Sequence, residues 1–140
     1  MGKCKRIAIV ISAVIILFVM IAYFFFPVTP CSSLKMEEIK EIRVFCIPPE
    51  QTVILSQEEL AEAVDLLQDM KAYHRGYISN SLIGQAVKFT IIKSDGTEIE
   101  IIIVGNTTIT INGASYRAQY ATTEAVTSFA NLIITGSSFK

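Results

Sequence analysis

A single histidine, three cysteines and a scatter of carboxylates are what the chain offers for chemistry. His74 is the only imidazole, which excludes a multi-histidine metal site and leaves imidazole acid–base work to one residue. It lies in "KAYHRGY", Lys71 to Tyr77, where a helical pattern gives out. There His and Arg would meet the negative end of a helix dipole, a capping role. Its functional alternative is a recognition patch of Tyr73, His74, Arg75 and Tyr77. A second tyrosine-bearing stretch, "ASYRAQY", offers Tyr116, Arg117 and Tyr120 as contacts for a small ligand or partner, with the connector 76–84 beside them. The carboxylate pairs Glu37–Glu38 and Glu58–Glu59, and Glu98 with Glu100, read as solvated strand edges and a helix N-terminus rather than two acids flanking a sugar-sized cleft. No G-x-S-x-G elbow or phosphate-binding glycine loop occurs. The expectation is a protein without catalytic residues, cofactor or metal.

Cys4, Cys31 and Cys46 do not have zinc-site spacing. Cys31 is the informative one, because it follows an apolar run as the lipidated residue of a bacterial lipoprotein would. A lipoprotein signal has a small residue immediately before its cysteine, whereas this chain reads Val28-Thr29-Pro30-Cys31, and Pro30 opposes the cut. In an oxidising compartment Cys31 and Cys46 can form a disulfide, leaving Cys4 reduced on the other side of a membrane. Alternatively Cys46, within "IRVFCI", is a small buried hydrophobe.

The run itself, Ile7 to Phe26, contains no charge. As a 20-residue helix it rises about 30 Å, the thickness of a bilayer's hydrocarbon core. It is longer than the apolar region of a cleaved signal, and Pro27 and Pro30 sit where a peptidase would have to cut. Lys3, Lys5 and Arg6 abut its start and argue for a cytoplasmic N-terminus. Tyr23, Phe24, Phe25 and Phe26 form an aromatic exit, and Pro27 ends the helix. Beyond Cys31, 9 basic residues face 13 acidic ones, a net of −4. Without basic runs such a domain does not suit nucleic acid. The expected organisation is a basic cytoplasmic tail (1–6), a transmembrane helix (7–26), a linker (27–36), an extracytoplasmic domain (37–135) and a tail (136–140).

The domain reads as an antiparallel sheet with two helices. "IKEIRVFCI" and "QTVIL" flank Pro48-Pro49 as a hairpin, with Ile42, Val44 and Cys46 on one face. Ser56 and Glu59 form a capping box for a helix carrying Leu60, Val64 and Leu67 and running toward Gly76. Val87, Phe89 and Ile91 alternate, as do Ile99, Ile101 and Ile103, around Ser94-Asp95-Gly96-Thr97. Asn112-Gly113 marks another hairpin. Thr122 or Thr123 can cap a last helix whose buried face is expected to be Ala125, Val126, Phe129, Leu132 and Ile133. The outline is an α+β domain, ββαββββα, with both helices on one face of the sheet. In "IEIIIV", Ile102 and Val104 fall on the face opposite Ile101 and Ile103, a candidate partner surface.

This layout, with "LSQEELAEAVDLLQDM" ahead of "VKFTIIKSDGTEIEIIIVG" and "ITINGASY", resembles small exported domains of uncharacterised function in Gram-positive bacteria, both lipoproteins and single-pass proteins. The resemblance implies a location and a fold and carries no activity. The function expected is a membrane-anchored accessory or protein-interaction domain, whose partners are the bilayer and another envelope protein. The alternative is a small-ligand-binding or inhibitor-type exported lipoprotein domain.

Overall fold

The computed structural model describes residues 2–74 and 84–136. Helix α1, Lys3–Phe25, is 23 residues long, contains an 18-residue stretch with a mean hydropathy of 3.0 and buries none of its side chains in the protein. It is long and apolar enough to cross a membrane. It starts at Lys3 rather than Ile7, so the basic cluster forms its first turn. Phe26 closes it by donating to Ala22 O (3.0 Å).

The expected linker is part of the fold. Val28 forms an antiparallel bridge with Ala72, through Val28 N–H to Ala72 O (2.7 Å) and Ala72 N–H to Val28 O (2.9 Å). Cys31 and Leu34 are buried in the main core, and the Gln68 amide donates to Leu34 O. A 3-10 turn, Met36–Glu38, leads into the sheet.

Seven strands follow: β1 (Ile39–Ile47), β2 (Gln51–Ile54), β3 (Ala72–Tyr73), β4 (Ala86–Lys93), β5 (Glu98–Val104), β6 (Thr108–Ile111) and β7 (Ala114–Ala118). All pair antiparallel in the order β2-β1-β4-β5-β6-β7-β3. Helix α2 (Gln57–Asp69) lies between β2 and β3, and α3 (Tyr120–Gly136) follows β7. The arrangement differs from the expected ββαββββα by β3. Helix α2 stops at Asp69 instead of running toward Gly76, because Met70 and Ala72 turn into the core and Ala72 pairs with Ala118. Two residues are too few to show a period of two in the sequence.

The hydrophobic alternation places Ile42, Val44 and Cys46 of β1 beside Val87, Phe89 and Ile91 of β4 and Ile101 and Ile103 of β5 on one wholly buried face. Leu60, Val64 and Leu67 of α2 and Val126, Phe129 and Ala130 of α3 complete the same core, so both helices cover this one face. Burying each such large apolar side chain contributes about 1.5–3 kcal/mol. The capping box forms: Glu59 N–H donates to Ser56 Oγ (3.3 Å) and Ser56 N–H to Glu59 Oε2 (2.7 Å). Helix α3 departs from its expected register. It begins at Tyr120, upstream of both candidate caps, and Leu132 is 68% exposed. Ala130 and Ile134 hold the buried stripe, and Leu132, two positions from each, sits about 200° round the wheel from them. Ala125 is exposed as well.

On the other face Phe45, Ile102 and Val104 are half-buried and Ile47 and Ile54 exposed, interleaved with Lys88 and Glu100, whose charged ends lie 3.4 Å apart. Turn chemistry fixes the hairpins. Asn112 (φ 47°) and Gly113 (φ 86°) both adopt the positive φ of a type I′ turn.

Candidate functional site

The two tyrosine-bearing stretches, separated by about forty residues of sequence, meet at one edge of the sheet. Strand β3 pairs with β7 in a register that sets Tyr73 opposite Arg117, and the guanidinium Cζ lies 5.5 Å from the Tyr73 ring centroid. His74, the next residue, is 5.8 Å from Tyr116 between ring centroids. Its principal partner is Tyr23 in the last turns of α1: the rings are stacked, with centroids 4.4 Å apart and planes within 4°. Tyr23 in turn meets Phe24 edge-on at 5.5 Å.

His74 is therefore not a cap on the end of α2. The helix finishes at Asp69, and β3 carries the chain to the sheet edge and the exit of α1. Tyr120 stands apart from the ring cluster, 58% exposed at the first turn of α3. That turn adjoins the same end of the domain, since Gln119 N–H donates to Lys71 O (3.0 Å) and Lys71 N–H to Thr122 Oγ1 (3.0 Å). Arg75 and Tyr77 lie outside the described residues, as does most of the 76–84 connector.

Phe24, Phe25, Tyr73 and Arg117 line a cavity of about 230 Å³ between the helix exit and the sheet edge. Four cations of the domain are paired with carboxylates: Lys35 and Lys93 with Glu38, Arg43 with Glu41, and Lys88 with Glu100. Lys40, Lys71 and Arg117 have no such partner among the described residues. The cluster joins a guanidinium, an imidazole and several ring faces, which is equipment for meeting an anion or a surface.

Reading the sequence alone missed Tyr23 and Val28 as parts of this site. The aromatic exit was visible, but its contact with β3 depends on a two-residue strand that gives no signal.

Cys31 and Cys46 are both buried and both free thiols. Burial pushes the Cys31 thiol from its ordinary 9.0 up to about 12 and raises that of Cys46 as well. Among the described residues no three His, Cys, Asp or Glu side chains converge where a metal could sit.

At the opposite edge, β2 pairs only with β1. Leu55 N–H donates to Ile42 O (3.0 Å), so by antiparallel alternation Thr52 and Ile54 direct their amide hydrogens and carbonyls away from the sheet. A groove of about 890 Å³ adjoins this edge, lined by Val53, Ile54 and Leu55, the first turn of α2, and Leu132 and Ile133 of α3. No protein-family model, curated protein or solved structure matches the chain.

Proposed function

We propose that this is a single-pass membrane protein whose N-terminus is cytoplasmic and whose domain is an extracytoplasmic, non-catalytic interaction module. The observation that carries the reading is the bridge between Val28 and Ala72, reinforced by the Tyr23–His74 stack. Only Phe26 and Pro27 separate the end of α1 from that bridge, so the β3 edge adjoins the membrane helix. The β2 edge lies six inter-strand spacings away, about 29 Å. The basic first turn of α1 supports the inward N-terminus, and the resemblance to exported Gram-positive domains agrees with the location.

The partner is an envelope protein that supplies an extended segment to β2. Main-chain hydrogen bonds to Thr52 and Ile54 would hold it, and apolar side chains would enter the groove beside Leu132. An accessory role in the cell envelope follows from this geometry.

The test places a photo-crosslinking residue at Thr52 in cells, with and without Ile54→Pro, which removes an outward amide while leaving the β1 ladder intact. A discrete heteromeric adduct lost in the proline variant supports the reading. An adduct between two copies of this chain, or one indifferent to the proline, refutes it. Domain digestion by protease added outside spheroplasts checks the topology.

A further inference from the structure

The exit cavity has a composition that the interaction reading does not use. In a domain with net charge −4, Arg117 and Lys71 stand without carboxylates among the described residues, at the end that adjoins α1. Arg117 is exposed, yet its guanidinium lies over the Tyr73 ring beside Phe24 and Phe25, the last two residues of the apolar helix. A guanidinium in that position has two apolar rings of the helix end beside it and no carboxylate partner among the described residues. Its fork of donors matches two oxygens of a phosphate.

We propose that Arg117, with Tyr73, Phe24 and Phe25, forms a binding site for the phosphodiester of a phospholipid headgroup in the leaflet next to the domain. The guanidinium takes the phosphate oxygens, the Tyr73 ring fixes its plane, and Phe24 and Phe25 lie against the glycerol and upper acyl region. Lys71, two residues before Tyr73, adds positive charge at the same end. The inference rests on α1 spanning the membrane, and that premise is tested separately.

Full-length protein is extracted from membranes in a mild non-ionic detergent, and bound phospholipid is counted by native mass spectrometry for wild type, Arg117→Gln and Arg117→Lys. Far-UV circular dichroism establishes that each variant is folded. The expected result is one retained phospholipid in wild type, at least tenfold less in Arg117→Gln, and intermediate retention in Arg117→Lys, which keeps the charge without the fork. Tyr73→Leu, which removes the ring but no charge, also lowers retention. Equal retention by wild type and Arg117→Gln overturns the site. Displacement of the lipid by millimolar inorganic phosphate identifies a free-phosphate site and overturns the lipid assignment. Alkaline carbonate extraction addresses the premise. Protein that stays in the membrane while Arg117→Gln binds normally refutes this inference alone, and release of the wild-type chain refutes the anchor and the lipid site together.

Discussion

Cys31 should make the stability of the domain fall in alkaline solution, by an amount that follows from its burial. The residue is 4% exposed within the core, and its thiol is raised from 9.0 to about 12. Thiolate is the charged form, so burial disfavours it in the folded state only. Well below pH 9 the thiol is protonated in both states and contributes no pH dependence. Between 9 and 12 the unfolded chain has lost the proton and the folded chain keeps it, so stability falls with a slope approaching 1.4 kcal/mol per pH unit. From pH 8 to 10.5 the loss is about 2 kcal/mol. Cys46 is raised by the same cause and acts in the same direction.

Tyrosines and lysines also titrate in this window, so the informative quantity is a difference. Urea unfolding of the full chain in non-ionic detergent, followed by far-UV circular dichroism at both pH values, is compared with Cys31→Ala. The variant starts lower by about 1 kcal/mol for lost packing, and its stability falls about 2 kcal/mol less across the interval. Parallel curves for the two proteins would refute the argument, because they would mean that the Cys31 thiol ionises as readily in the folded chain as in the unfolded one. A native Cys31–Cys46 disulfide would do the same, and intact mass with and without reductant detects it.

Ser56→Ala should cost about 1 kcal/mol in urea unfolding, because it removes the acceptor for Glu59 N–H at the start of α2. Leu67→Ala should cost about 2–5 kcal/mol while Leu132→Ala stays within about 0.5, since the first is wholly buried and the second faces out; comparable losses would mean that α3 is rotated from its observed register. Gly84→Ala should destabilise by at least about 1–3 kcal/mol in thermal unfolding, because Gly84 has φ +125° and an added Cβ would come within 2.7 Å of Gly105 Cα. Tyr23→Ala should speed hydrogen exchange at Ala72 N–H severalfold, since ring stacking worth about 0.5–1.5 kcal/mol supports the bridge to Val28.

Long periodic segments were legible in the sequence because one buried face demands them. Val87, Phe89 and Ile91, or Ile101 and Ile103, could not alternate otherwise, and Ser56 with Glu59 announced the start of α2. The failures share a physical origin in tertiary override. Strand β3 exists because Ala72 fills a place between Ala118 and Val28, contacts that no local pattern encodes. In α3, apolar residues lie nearly all round the helix, so the stripe through Ala130 and Ile134 could not be chosen over Leu132 without the sheet beneath it. The candidate site was half legible: its tyrosines and Arg117 drew notice, but their convergence on Tyr23 depends on β3.

The short exit decides what the domain can do. A flexible linker of ten residues would let the domain tumble and offer every face to a partner. Here the bridge at Val28 and the burial of Cys31 and Leu34 hold the chain against the core within a few residues of the helix end. The entropy of ordering Phe26 and Pro27 is the main local cost of this arrangement, about 1–2 kcal/mol for the non-proline residue. Two hydrogen bonds of about 1 kcal/mol each and the Tyr23–His74 stack offset it. A domain fixed in this way presents its sheet edges in a definite order, with β3 adjoining the apolar helix and β2 at the far side. Releasing the tether with Val28→Pro and Tyr23→Ala should therefore weaken strand addition at β2 without altering a residue of that edge, and an unchanged Thr52 crosslink in the untethered protein would show that orientation plays no part.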